Sequence, residues 1–261
     1  MSAALDRGTP LLAGCLTAVS VRGDAHSGGL TVEVWRADLD AAPGELVDLL
    51  SPQERTRATR IVQSAARARW VSSRGVLRAL LGCHLECDPR HLRFQLGPHG
   101  KPALPGGELS FNVSHSEGVA LYALAPTAVG VDVEVLAPRP PSRDELALAE
   151  RALGPDVARR LRALTPSARH REFLRQWVRH EATLKCLGVG LLDSSAAAAG
   201  PPAWPVAAAG PAAQVATPAA GLRVSILDVG PHAIAALAVQ SASPQATPVG
   251  ASRSDSPPSV R

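Results

Sequence analysis

The run Val129-Gly-Val-Asp-Val-Glu-Val135 constrains this chain more than any other segment. Strict alternation over seven residues has the period of a β-strand, whose successive side chains point to opposite faces. Val131, Val133 and Val135 therefore share a face that must be buried, while Asp132 and Glu134 emerge together on the other. Adjacent carboxylates on one face repel each other unless something neutralises them. The fold has to cover the valine face and bring a cation, a basic side chain or solvent to the acidic one.

A second signal lies about fifty residues on. Trp177-Val-Arg-His-Glu-Ala-Thr-Leu-Lys185 reads as a helix, and Glu181 and Lys185, four apart, share a face. As a plain helix ion pair they are worth only about 0.2–0.5 kcal/mol. Three carboxylates (Asp132, Glu134 and Glu181), with no histidine or cysteine cluster of comparable quality, point to a hard cation such as Mg2+. That ion takes oxygen ligands and is commonly shared with phosphates, so the pattern suggests phosphoryl-transfer chemistry. The bland alternative is a solvated sheet face beside an unrelated helix pair. Cys83-His84-Leu-Glu-Cys87-Asp-Pro-Arg-His91 carries zinc-type ligands, but no second cluster matches it, and Cys83 completes the apolar face of a helix. The sequence holds no Gly-x-x-x-x-Gly-Lys-Ser/Thr loop, no Gly-x-Ser-x-Gly elbow and no dinucleotide fingerprint.

Composition narrows the partners. A chain of 261 residues supports one large domain or two small ones. Aromatics make up only 3%, so the core must be built from Leu, Val and Ala. Basic residues number 27 against 23 acids, a charge of +4 that suits a small polyanion or an acidic protein and is too small to indicate nucleic acid. Four sparse cysteines make no disulfide framework, and no long apolar run follows the start. The expectation is a reduced, cytoplasmic protein with no membrane span.

Along the chain, residues 1–30 read as a loosely held extension and Thr31–Ala37 as the first strand. Ser51-Pro-Gln-Glu54 has the form of a capping box opening a helix. Ala65–Leu81 predicts a longer helix closed by Gly82. Leu92–Phe94 and Leu109–Val113 read as strands around a turn-rich loop containing Gly100-Lys101-Pro102. Val119–Leu124 and Val129–Val135 read as an antiparallel pair. After a Pro-rich linker at 138–141 come helices over 144–152, 156–164 and 167–187, the last capped by Ser167 and closed by Gly188. Strands follow near 213–217, 222–228 and 232–239. The last residues, 241–261, lack the apolar content to offset the entropy of ordering and read as a disordered tail. Two halves, 31–127 and 128–240, repeat a helical block with small antiparallel strands, and a cleft between them is the natural meeting place for the chemistry.

Phe111-Asn-Val-Ser114-His115-Ser116 ends a strand in hydrogen-bonding side chains suited to a phosphate, or to an ordinary Ser-rich turn. Taken in order, Gly100-Lys-Pro102, Phe111–Ser116, Gly130–Glu134, Trp177–Lys185 and Gly188-Val-Gly-Leu191 resemble the 4'-phosphopantetheinyl transferases. The resemblance is to the monomeric two-domain type serving polyketide, nonribosomal-peptide and sometimes fatty-acid synthases, and it runs from about Val32 to Val239. It implies an α/β (α+β) fold of two similar subdomains in pseudo-twofold arrangement, each a small antiparallel sheet packed on helices. It also implies transfer of phosphopantetheine from coenzyme A to a serine of acyl or peptidyl carrier domains, with release of adenosine 3',5'-bisphosphate.

Residue by residue, the resemblance makes Asp132, Glu134 and Glu181 the Mg2+ ligands and puts Lys185 near the transferred phosphate. It sets Ser114 and His115 at the coenzyme A phosphates, Lys101 and Pro102 in the loop beside the adenine, and Arg57 and Arg69 at the 3'-phosphate. The resemblance also makes Asp132, Glu181 and Lys185 the catalytic residues. A non-catalytic relative that only binds coenzyme A or a carrier is the rival reading. Three positions depart from the family pattern. His180 stands where lysine is usual, Glu54 where relatives often place a basic residue, and Arg151–Val157 replaces a segment usually marked by a phenylalanine pair and a glutamate.

Overall fold

A computed structural model describes residues 10–21, 31–107, 109–136, 144–189, 215–216 and 221–241. The expected linker at 138–141, the tail beyond Ser241, and Gly190 and Leu191 lie outside the described residues. Among them no helix is long and apolar enough to cross a membrane.

The first half contributes β1 (Leu16–Ala18), β2 (Glu33–Asp38), helices α1 (Pro52–Thr59) and α2 (Ser64–His84), the short strands β3 (Gln95–Leu96) and β4 (Pro102–Ala103), and the hairpin β5 (Ser110–Ser116)–β6 (Val119–Ala125). The second half contributes β7 (Val129–Val135), helices α3 (Glu145–Ala152), α4 (Pro155–Arg162) and α5 (Pro166–Leu187), then β8 (Val215–Ala216), β9 (Leu222–Leu227) and β10 (Ala233–Gln240). The two main sheets are wholly antiparallel, with strand orders β1-β2-β6-β5 and β7-β10-β9-β8. Both halves therefore run strand, helices, hairpin, and lay them out alike, β2-β6-β5 against β7-β10-β9. That repeat is the pseudo-twofold arrangement.

The layers run helix, sheet, sheet, helix. Ala120, Tyr122 and Leu124 of β6 pack toward α2 with Val76, Leu77, Leu80 and Leu81, while Leu121, Ala123 and Ala125 face the other sheet. There they meet Val129, Val131 and Val133 of β7 and Ala235 and Leu237 of β10. Ala236 and Ala238 turn the opposite way, onto Val178, Ala182 and Cys186 of α5. The central strands are buried on both faces, so β6 and β10 read as continuous apolar runs.

Several local expectations hold. Ser51 and Glu54 form the capping box, with each side chain accepting from the other's backbone N–H. Gly188 closes α5 with a left-handed φ of 71°.

Others are corrected. Leu16–Ala18, within the stretch read as an extension, pairs with β2, and nearby Leu12 and Cys15 are buried. Gly82 does not end α2. The helix runs on to His84 because Glu86 takes the left-handed conformation and Cys87 N donates to Gly82 O at 2.9 Å; the missing side chain at Gly82 admits Pro89. Leu92–Phe94 follows a single turn of 3-10 helix, and the strand begins only at Gln95. The N-cap of α5 is Thr165, not Ser167. Strands β6 and β7 are not a hairpin: three residues carry the chain from one sheet to the other, and the two strands stack face to face.

The approach of α5 to β7 has no slack. A Cβ on Gly130 would collide with Ala182 O and Cys186 N and lie 2.9 Å from Cys186 Cα. Gly130→Ala is expected to force α5 off the sheet, at a cost of about 1–3 kcal/mol. A lowered urea midpoint checks this, and an unchanged midpoint contradicts it.

Candidate active site

Strand β5 is the edge of the first sheet and β7 the edge of the second. They run side by side in the same direction, joined by side chains in place of a backbone ladder. Asn112 Oδ1 accepts from Val131 N at 2.8 Å, and Ser116 Oγ accepts from Val135 N at 3.2 Å. Ser114 Oγ donates to Asp132 Oδ1 at 2.7 Å, and Ser116 Oγ to Glu134 Oε2 at 2.9 Å. The alternation of Asn112, Ser114 and Ser116 thus matches the alternation of β7 and satisfies an edge that would otherwise expose unpaired N–H groups. Asn112 and Ser116 carry roles that sequence reading did not single out, although their period-two spacing with Ser114 is visible in the sequence.

Helix α5 closes the seam from above. Its buried stripe (Leu174, Val178, Ala182, Cys186) sits on the small residues Gly130, Ala236 and Ala238, so Glu181 and Lys185 overhang the edge of β7. Lys185 does not hold Glu181 in a helix pair. Its ammonium reaches Asp132 Oδ1 at 2.5 Å and donates to Ser114 Oγ at 3.0 Å. Asp132 is 4% exposed, and its second oxygen, Oδ2, has no hydrogen-bond partner; the same is true of Glu181 Oε1. Buried carboxylate oxygens left unpaired cost free energy, and such atoms call for an occupant.

The electrostatics agree. Burial pushes the Glu134 carboxyl up, the Asp132 charge adds to this, and the Ser116 hydroxyl and Lys185 pull the other way. Glu181 is also raised, by burial first and then by repulsion from Asp132 and Glu134, with Lys185 opposing. His115, exposed on the outer side of β5, is lowered by the crowding of surrounding chain and by the Lys185 charge. Burial lowers His180. Among the described residues no three carboxylate, histidine or cysteine side chains form a ready-made metal cage, neither at the acidic seam nor around Cys83, Cys87 and His91.

The basic block splits in two. Glu54 is 8% exposed and takes Arg74 at 2.5 Å and Arg78 at 2.6 Å. Burial alone would raise its carboxyl, but donation from Arg78, from Ser51 N and from Arg74 leaves it lowered. Arg78, 1% exposed, also donates to Pro89 O at 2.6 Å, and both arginines lie over the Phe94 ring. This group fixes α1 to α2. Arg69 instead bridges Asp40 at 2.8 Å and Glu117 at 2.9 Å, acids that are 57% and 68% exposed. Its Nη2 also donates to Asp40 Oδ2 at 2.9 Å, so the guanidinium grips Asp40 with two prongs. Arg57 lies 5.8 Å over Trp70 and lines an open groove with Gln53, Thr56, Arg60 and Ile61.

Lys101, from the loop of the first half, points inward, donating to Val129 O at 3.0 Å and Lys185 O at 2.6 Å. Pro102 pairs with Leu96 across the two-stranded β3–β4 turn.

Residues 128–203 match the family model described as the 4'-phosphopantetheinyl transferase superfamily. Over 168 residues the chain is 36% identical to the 4'-phosphopantetheinyl transferase HetI of Nostoc sp., covering 61% of this chain and 70% of that one. The chain belongs to the 4'-phosphopantetheinyl transferase family. A putative 4'-phosphopantetheinyl transferase of Synechocystis sp. is 35% identical over 165 residues (61% of this chain, 65% of the relative), and a 4'-phosphopantetheinyl transferase of Bacillus subtilis is 30% identical over 111. The family match begins one residue before β7 and takes in all of α5, the two elements that supply Asp132, Glu134, Glu181 and Lys185.

The raised Glu181 carboxyl has a measurable consequence. A group whose folded pKa lies above its unfolded value contributes stability that is present at low pH and lost as pH rises through the folded value. In metal-free buffer without coenzyme A, Glu181→Gln is therefore expected to unfold at a higher temperature than wild type. The gap should widen from about pH 4.5, an ordinary glutamate value, toward neutrality. A gap that does not vary with pH contradicts the assignment.

Proposed function

We propose that this protein transfers the 4'-phosphopantetheine arm of coenzyme A to a serine of acyl or peptidyl carrier protein domains, releasing adenosine 3',5'-bisphosphate, with Mg2+ held by Asp132, Glu134 and Glu181. The observation that carries the reading is the seam itself: three carboxylates with raised or buried character, two of them ending in an unpartnered buried oxygen, and a lysine ammonium lodged among them. That donor set fits a hard divalent cation, and Mg2+ is usually held by one or two carboxylates plus substrate phosphates. Bound there, it supplies neutralisation of the phosphate oxygens and polarisation of the phosphorus.

The remaining steps belong to the chain's own residues. Ser114, in the seam, and His115, on the outer side of β5, receive the pyrophosphate of coenzyme A, while Arg57 and Arg69 meet the 3'-phosphate. Lys185 transfers its ammonium from Asp132 toward the phosphoryl group and stabilises charge there as it develops. The carrier serine Oγ attacks the phosphorus bearing pantetheine, and its proton passes to Glu181. The P–O bond to the adenosine bisphosphate breaks, and that group leaves with the bond's electrons. A glutamate with a raised pKa is a stronger base than an ordinary one, which suits this part. The first half supplies Ser114 and His115 and the second supplies the acids and Lys185, all from one chain, so the reading needs only a monomer.

Incubation with coenzyme A, Mg2+ and an unmodified carrier domain is expected to raise the carrier's mass by one phosphopantetheine, as read by intact-protein mass spectrometry. An unchanged mass across several carrier domains defeats the reading. Glu181→Gln should slow transfer by at least the 10²–10⁴ typical of a lost general base. Asp132→Ala should do so as severely while the protein stays folded. Near-wild-type transfer by Glu181→Gln favours a coenzyme A or carrier binder without this chemistry.

A further inference from the structure

We infer that Lys101 is a positioning residue, whose ammonium pins the C-terminal turn of α5 to the start of β7 and so sets Lys185 over Asp132. The inference rests on the reading of the acidic seam given above. Lys101 belongs to the β3–β4 turn of the first half, yet its Nζ donates to two backbone carbonyls of the second, Val129 O at 3.0 Å and Lys185 O at 2.6 Å. Val129 begins the strand that carries Asp132 three residues later, and Lys185 is the residue whose own side chain grips Asp132. One cation therefore holds the backbone on both sides of a single ion pair.

The setting makes such a clamp effective. The last carbonyls of a helix lack intrahelical donors and carry the negative end of its dipole, so a lysine donated there is favoured. Lys185 O lies in that last turn, three residues before Gly188. Beside it, Gly130 gives α5 its close seat on β7, and Cys186 Sγ meets Ala128 O at 3.2 Å, so the clamp reinforces a contact with no room to slide. Burial lowers the Lys101 ammonium pKa, consistent with a cation held inside the protein away from solvent. Both donations are directed inward, to the protein's own backbone.

The test compares Lys101→Met and Lys101→Gln with wild type, alone and in a Lys185→Met background. Coenzyme A affinity is measured directly by calorimetry, and kcat by carrier modification. The expected result is a fall in kcat of about tenfold or more, since misplacement by a full ångström can cost about a hundredfold. Coenzyme A affinity should stay within about twofold, and the effect should be the same for coenzyme A lacking its 3'-phosphate. In the Lys185→Met background the Lys101 substitution should add little, because its target is already gone. An undiminished further loss in that background, or a loss of coenzyme A affinity that matches the loss of rate, overturns the inference. Hydrogen exchange of the segments 129–135 and 181–187 gives a readout independent of turnover. Both should exchange faster in Lys101→Met, and unchanged protection also overturns the clamp. A wild-type protein that modifies no carrier defeats the proposed function and leaves the exchange result to stand by itself.

Discussion

Helix α5 rests on β7 at a point where no side chain intervenes: Gly130 faces the backbone of Ala182 and Cys186. Nearly everything about the site depends on that contact. It brings Glu181 and Lys185 over the edge of the second sheet, within reach of Asp132 and of Ser114 on the neighbouring edge strand. The small residues Ala236 and Ala238 on β10 continue the flat seat, so the helix lies low along its buried stripe. Ordinary aliphatic side chains there would lift α5 by a side-chain layer and separate the lysine from the acid.

So close a seat leaves little water, and the polar groups inside must settle accounts among themselves. Asp132 does so with Lys185 and Ser114, Glu134 with Ser116, and Asn112 with the backbone of β7. Two carboxylate oxygens remain without a partner, and two of the three acids hold their protons more tightly than in water. A site arranged in this way has given up some stability in its free form, which a bound cation would restore. Lys185 is the resident counter-charge in the meantime.

The two halves share a plan but not an edge. In the first sheet, β1 pairs with β2 and closes its outer side. Among the described residues the corresponding edge of β7 has no strand partner, and it receives instead the side chains of β5. Asp132 and Glu134 sit on that asymmetric edge, which is satisfied by hydroxyls and an amide from β5. The arginines divide along similar lines. Arg74 and Arg78 are locked onto buried Glu54 and hold the helices, whereas Arg69 is tied to exposed acids.

Much of this was legible in the sequence because it is local. The period of two in Val129–Val135, the capping box at Ser51, the αL glycine at Gly188 and the helix bearing Glu181 and Lys185 all follow from the preferences of a few consecutive residues. The order of the motifs was enough for the family. What only the tertiary structure decided is which strand meets which. That β6 and β7 stack in place of pairing, that three residues near the N-terminus join the first sheet, and that α2 runs past Gly82 all depend on contacts between distant segments. The same holds for the partner of Lys185, which a helical spacing assigned to Glu181 and the fold assigned to Asp132, and for the inward turn of Lys101. Dihedral preference and hydrophobic period act over a turn or two of chain. Hydrogen bonds and charge pairs across a packed seam depend on how closely two backbones approach, and here a single glycine sets that distance.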